Sequence, residues 1–150
     1  RFCDWSSDVC SSDLRKSCDK FSNLKSANYL PYVMAARYAK ENKLNDCLLL
    51  NIHERIADST IANIFLIKDQ KLFTPPLSEG CVDGVMRRYI IEQYEVNETV
   101  LTSKDILSAD ELFLTNAMYG IRWVGQFRDK TYRHSKTSEM HDALLRTIWS

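Results

Sequence analysis

The sequence predicts an α/β (α+β) chain in which a mixed, mostly antiparallel sheet or pseudo-barrel packs with helices. Three observations lead there. The chain has 150 residues, 45% hydrophobic and 27% charged, enough for one buried core and too few for two domains of ordinary size. Strand-like runs outnumber helix-like runs and follow one another directly, which favours antiparallel pairing over a parallel crossover layout. No GxGxxG or GxxxxGK[ST] stretch occurs, so the usual nucleotide-cradling turns of doubly wound folds are missing.

The first element is anomalous. Asp4 to Leu14 reads DWSSDVCSSDL, and all eleven letters match the translation of a common short-read sequencing adapter. Residues 1–14 are therefore expected to be an artefactual, disordered segment. The domain is expected to span 15–150, and the natural protein to begin near Arg15 after loss of residues from its N-terminal side.

Ser26 to Lys43 reads as a helix. Tyr29, Val33, Ala36, Tyr38 and Ala39 fall near helical spacing, and Pro31 sits where a first turn tolerates it. CLLLNI (Cys47 to Ile52) is a buried-strand run, HER a turn, and TIANIFLIKD (Thr60 to Asp69) a second strand rich in β-branched and aromatic residues. QKLFTPP reads as a hairpin return that ends at Pro75 and Pro76. Gly84 to Tyr94 reads as a helix after the loop SEGCVDG. VNETVLT is a strand, SKDILSA a short helix capped by Ser103, and ELFLTNA and IRWVGQF are strands with Trp123 and Phe127 in the core. FRDKTYRH reads as a solvated strand end and turn. A last helix, Thr137 to Trp149, places Met140, Leu144, Leu145 and Ile148 on its apolar face.

Charge and cysteine content narrow the function classes. Twenty basic residues balance twenty acidic ones, which leaves no footprint for nucleic acid or an anionic membrane. The longest apolar runs, Cys47 to Leu50 and Ile61 to Ile67, are far below the roughly 18 residues of a spanning helix, and no signal-peptide pattern opens the chain. A cytoplasmic protein is expected. The five cysteines (3, 10, 18, 47 and 81) form no CxxC pair, and His53, His134 and His141 are not spaced with them as zinc ligands. No metal is expected. There is also no GxSxG nucleophile turn.

The candidate chemistry is spread over four elements. LKSANYL puts Lys25 and Tyr29 four residues apart, able to point the same way from the start of a helix. Asp58 is a carboxylate just ahead of a strand. Gly84 opens a helix whose free N–H groups can hold an anion. FLTNAMYGI ends a strand in a polar loop. Singly, each suits a surface pair, a turn residue or loop chemistry equally well.

In order and spacing, however, Lys25 to Val124 resembles the large domain of fold-type IV pyridoxal-phosphate enzymes. These are the branched-chain and D-amino-acid aminotransferases and aminodeoxychorismate lyase. The resemblance rests on Lys25, Asn28, Tyr29 and Leu30; on the apolar run Leu48 to Leu50; on Asp58, Asn63, Ile64 and Phe65; and on Thr74 to Pro76. It continues through Gly84, Val85 and Arg87, then ADELFLTN (Ala109 to Asn116), and closes at Gly120, Ile121 and Val124.

The resemblance implies a D-amino-acid aminotransferase-like fold and pyridoxal 5′-phosphate as cofactor. It implies that Lys25 bonds to the cofactor aldehyde and then moves a proton between the substrate α-carbon and the cofactor. A free lysine titrates near ~10.4 and is a poor base when protonated, so such a site must disfavour its charged form. Tyr29 would hydrogen-bond the cofactor phenolate and Asp58 the protonated pyridine nitrogen. Val82 would pack on the ring face. At the helix start opened by Gly84, the backbone N–H groups of Val85 and Met86 would hold the phosphate, with Gly84, Asn116 and Ala117 also at the cofactor.

Asp58 stands where the family usually has Glu, one methylene longer. Met86 and Ala117 stand where hydroxyl residues are common, which throws phosphate binding onto backbone donors. Family members also carry a smaller N-terminal domain that supplies an arginine to the phosphate and much of the substrate pocket, so this chain alone is expected to be impaired. The implied reaction is transamination between an amino acid and a 2-oxo acid, in a homodimer. Aminodeoxychorismate lyase, which releases pyruvate to give 4-aminobenzoate, stays open, as does a degenerate non-catalytic module.

Overall fold

Side-chain alternation along three strands organises the molecule. The computed structural model describes residues 8–26 and 30–149, with the side chains of 15–26 and 30–148. In chain order the elements are β1 (Asp8–Lys16), α1 (Leu30–Glu41), β2 (Asp46–Asn51), β3 (Ile56–Ser59), β4 (Asn63–Lys68) and β5 (Lys71–Thr74). They continue with α2 (Val85–Gln93), β6 (Val96–Glu98), α3 (Ser103–Ser108), β7 (Glu111–Asn116), β8 (Gly120–Trp123), β9 (Gln126–Phe127), β10 (Lys130–Thr131) and α4 (Ser135–Trp149). One sheet has the order β10-β9-β1-β2-β3 and the other β6-β5-β4-β7-β8. The β1–β2, β1–β9 and β5–β6 pairs are parallel and the remaining pairs antiparallel, which is the mixed, mostly antiparallel arrangement read from the sequence.

Leu48 and Leu50 of β2, Ile64 and Leu66 of β4, and Leu112 and Leu114 of β7 meet between the two sheets in one buried cluster. The intervening residues point the other way. Phe65, Ile67 and Phe113 pack under α2 and α4 with Ile90, Met140 and Leu144, while Cys47 and Leu49 pack under α1 with Ala35 and Ala39. A period of two thus produces four layers, helix on sheet on sheet on helix. Phe65 and Phe113 are direct cross-strand partners whose rings stack at 5.1 Å, a pair of the kind that pins register.

Several expectations need correction. The strand expected over 60–69 is instead β4 alone, and a further strand, β3, precedes it, so Asp58 lies within a strand rather than ahead of one. Bulky residues do not mark β3 because Ala57, Asp58 and Ser59 are small or polar yet fully buried. On α1, burial falls on Ala35 and Ala39, whereas Val33, Ala36 and Tyr38 face outward. Two alanines at i and i+4 let the helix backbone lie close to the sheet, where larger residues would hold it off. On α4, Met140 and Leu144 are buried but Leu145 and Ile148 are exposed.

Thr102, not Ser103, caps α3: the Asp105 carboxylate accepts its N–H and its hydroxyl, each at 2.7 Å. IRWVGQF splits into β8 and β9. Phe127 is core, while Trp123 is half-buried, stacked on His134 at 4.9 Å with His141 at its edge.

Residues 8–14 also depart from expectation. They are strand, not disorder: β1 pairs with β2 on one side and β9 on the other. The slot between those strands offers unpaired backbone N–H and C=O groups, and an extended segment satisfies them whatever its side chains. A register shift between Ser11 and Arg15 marks an imperfect fit. The β4–β5 hairpin closes with Asp69 and Gln70 both at positive φ, the two-residue turn that matches strand twist. Among the described residues no helix is long and apolar enough to cross a membrane.

Candidate active site

A bulge aims the central carboxylate. Leu49 pairs with Asp58, but the next residue, Leu50, pairs with Ile56, so Ala57 is an extra residue in β3. Without it, Ile56 and Asp58 would share a face. With it, Ile56 stays between the sheets while Asp58 turns to the α1 face alongside Leu49. Lys16, the last residue of β1, pairs with Asn51 on the other edge of β2, two residues along from Leu49 and on the same face. Asp58 and Lys16 therefore approach each other across β2.

They meet at 3.2 Å, Lys16 Nζ donating to Asp58 Oδ2, with side chains 6% and 2% exposed. The Tyr32 hydroxyl, from the first turn of α1, donates to the same oxygen at 2.9 Å, and the Val82 N–H at 3.0 Å. Lys16 Nζ also donates to the Tyr32 oxygen. Every donor falls on Oδ2. Asp58 Oδ1 is buried and has no hydrogen-bond partner among the described residues. Burial raises the Asp58 carboxyl above the ordinary carboxylate range, against the opposing pull of Lys16, the Val82 N–H and Tyr32.

Above this pair lies a cavity of about 190 Å³ lined by Lys16, Lys25, Tyr32 and Val82 among others. Asn23 brings Lys25 to it. Its side-chain amide donates to the carbonyls of Leu77 and Cys81, each at 2.7 Å, and its carbonyl accepts the Asp83 N–H at 2.9 Å. This binds the segment carrying Lys25 to the loop carrying Val82. Lys25 is exposed there, and among the described residues it makes no hydrogen bond or ion pair. Tyr29 and Asn28 lie outside the described residues.

The Val82 loop runs directly into α2. Gly84 N-caps the helix with extended φ and ψ and no side-chain cap, so the first-turn N–H groups of Val85 and Met86 have no capping acceptor. Val85 is exposed and Met86 packs against the core under α2. Arg87 is buried and donates to the Pro75 carbonyl and to Glu98. Its charge is taken up inside the fold.

Asn116 and Ala117 sit at the β7–β8 turn. The Asn116 amide oxygen accepts the N–H groups of Met118 and Tyr119, and its nitrogen donates to the Ile61 carbonyl at 3.2 Å. Asn116 thus shapes the turn and ties it to the loop after β3, while Ala117 is exposed. Arg122 lies over the Tyr119 ring at 3.8 Å.

Lys25 and Val82 line one cavity, and Asp58 is tied to it through Lys16, Tyr32 and the Val82 N–H, with Gly84, Val85 and Met86 following from Val82. The structure adds two residues that sequence reasoning missed, Lys16 and Tyr32. A signal existed for Tyr32, which stands three residues after Tyr29 and so shares its helix face. None existed for Lys16, whose role depends on strand order.

The amino-transferase class IV family model matches residues 5–127. The chain is 34% identical over 102 residues to aminodeoxychorismate lyase of Vibrio harveyi, covering 65% of this chain and 38% of that protein. It is 30% identical over 118 residues to the mitochondrial branched-chain-amino-acid aminotransferase 1 of Arabidopsis thaliana, covering 74% and 30%. The chain thus spans well under half the length of these relatives. In fold it matches the branched-chain amino acid aminotransferase of Thermobaculum terrenum in its PLP-form, with a TM-score of 0.89 and 24% identity over 97% of this chain and 52% of that one. With the family model spanning most of the chain and the same architecture around it, this chain belongs to the amino-transferase class IV family.

Proposed function

We propose that the protein carrying this chain is a pyridoxal-phosphate enzyme that transfers an amino group between an amino acid and a 2-oxo acid. The observation that carries the reading is the one-sided Asp58 carboxylate. Oδ2 is bonded by three donors while Oδ1, buried, is left without one among the described residues. A buried acceptor without a partner is costly in isolation, and the N–H of a protonated pyridine ring is a donor of the charge and shape to complete it. The residues present therefore fit the cofactor.

Bound there, pyridoxal phosphate supplies the electron sink for negative charge developing on the substrate α-carbon. The chain's own groups do the rest. Asp58, through Oδ1, would accept the ring N–H and hold its proton; Val82 would pack on the ring, and the first-turn N–H groups of α2 at Val85 and Met86 would hold the phosphate. Two lysines line the cavity, and their surroundings separate their roles. Lys16 is held by the buried Asp58 carboxyl, whereas Lys25 stands exposed with no ion pair among the described residues. Lys25 is the nucleophile and the base that moves the α-proton. The amino acid and oxo acid substrates, and a homodimeric assembly, belong to this reading.

A second reading has one observation in its favour, the 34% identity to an aminodeoxychorismate lyase. It uses the same lysine to remove the α-proton and then expels pyruvate.

The test is borohydride reduction of the gene product with pyridoxal phosphate, followed by peptide mass spectrometry. Label on Lys25 is the expected result. Label on Lys16, or none, defeats the assignment. Pyruvate release from aminodeoxychorismate without an oxo acid acceptor selects the lyase.

A further inference from the structure

We infer that Lys16 is a positioning residue for the cofactor site, holding Asp58 by one carboxylate oxygen so that the other alone receives the ring nitrogen. The inference rests on the cofactor reading above.

Three features of the geometry carry it. First, the grip is one-sided: Lys16, Tyr32 and the Val82 N–H all bond Oδ2, and Oδ1 is buried without a partner among the described residues. A carboxylate held by three donors on one oxygen cannot rotate without breaking all of them. Second, the grip comes from three separate elements, β1, α1 and the loop before α2, so the side chain is fixed from several directions. Third, Asp58 and Lys16 are brought to the same face of β2 by a bulge at Ala57 and by the β1–β2 register.

Charge gives Lys16 a role that a neutral donor would not fill. Buried away from water, a carboxyl favours its protonated form, and a protonated Asp58 would present the wrong hydrogen-bonding pattern to a pyridinium. The titratable and charged groups around Asp58 are the Lys16 ammonium from β1, the neutral Tyr32 hydroxyl from α1 and the neutral Cys81 thiol from the loop, with the Arg87–Glu98 pair beyond. Lys16 is the only cation among these in direct contact with Asp58. Its charge opposes the desolvation of the carboxyl and favours the ionised, acceptor form.

The experiment compares the gene product with its Lys16→Gln and Lys16→Arg variants, without cofactor and with pyridoxal phosphate. Lys16→Gln keeps a donor and removes the charge. The titration of the Asp58 carboxyl, followed by carbon NMR of labelled aspartate in the cofactor-free protein, should move up by about one pH unit or more in Lys16→Gln. Pyridoxal-phosphate affinity should fall about tenfold. Lys16→Arg should restore both.

If Lys16→Gln does not fold, Tyr32→Phe carries the same test through loss of one donor, with a smaller upward shift expected. An unmoved titration and unchanged affinity overturn the role of Lys16. Borohydride labelling of Lys25 in the unaltered protein separates the two readings. Label there with an unmoved titration sinks only the Lys16 inference, while absence of label sinks the cofactor reading beneath it.

Discussion

Asn63 Nδ2 donates to the Val82 carbonyl at 2.7 Å, fastening the first residue of β4 to the loop that covers Asp58 and opens α2. The same Asn63 leaves no room at the helix cap. A Cβ placed on Gly84 would meet Asn63 Oδ1 at 2.3 Å. Glycine is required here by close approach, since the cap itself has ordinary φ and ψ. Gly84→Ala should therefore displace the Asn63 amide and loosen its hold on Val82. The expected loss is about 1–3 kcal/mol in urea unfolding, with weakened pyridoxal-phosphate binding. Wild-type stability would show that Asn63 can move freely.

Asp58→Asn leaves Lys16 as a buried cation without its counterion. Breaking a buried pair from one side typically costs about 3–5 kcal/mol. Removing both charges in Lys16→Met with Asp58→Asn should cost less than the sum of the single changes, because the second substitution relieves the strain left by the first. A denaturant double-mutant cycle measures this. Additive losses would mean that the two groups do not interact.

Glu111 caps α4 from the opposite side of the molecule. Its carboxylate accepts the N–H groups of Lys136 and Thr137 at 2.9 and 2.8 Å and the Thr137 hydroxyl at 2.7 Å. Glu111→Ala should lower stability by about 2 kcal/mol, the upper range for loss of a helix cap, and Glu111→Gln by roughly half of that. Loss of α4 helicity should accompany it in circular dichroism.

The cysteines differ in environment. Burial pushes the Cys81 thiol up to about 11 from an ordinary value near 9, while Cys18 is half-buried. Alkylation of the folded chain near neutral pH should modify Cys18 and spare Cys81 until denaturant is added. The sign for stability follows. The unfolded chain releases the Cys81 proton first, so this group's contribution falls as pH rises between about 9 and about 11. Unfolding curves across that window should differ between the unaltered chain and Cys81→Ala.

Leu30, Val33, Met34 and Tyr38 form one exposed stripe on α1, with Leu30 and Val33 67% and 58% exposed. A contiguous apolar face of this kind promotes association. Replacing Leu30 by Lys together with Val33 by Glu should reduce self-association in sedimentation velocity without altering the melting temperature, since neither residue packs into the core.

Much of the fold was legible because its cause is local. Alternation in LLL and NIFLIK marks buried strands, the apolar run of α4 contains Met140 and Leu144, and ADELFLTN locates β7. Lys25, Asp58, Val82 and Gly84 were legible only as candidate site residues, through the family resemblance of their order along the chain.

What lay beyond reading was non-local. That α1 buries alanines rather than Val33 and Tyr38 depends on how closely the helix sits on β2. That residues 8–14 form a strand depends on an open slot between two other strands. The pairing of Lys16 with Asp58 depends on strand order, a bulge at Ala57 and the face that bulge selects. The amino-acid sequence by itself determined which groups were available and where most helices and strands outside β1 and β3 fall, since propensity and periodicity act over a few residues. Only the tertiary structure decided which of two lysines meets the carboxylate, because that contact joins strands 42 positions apart in the chain and exists only once β2 lies between them.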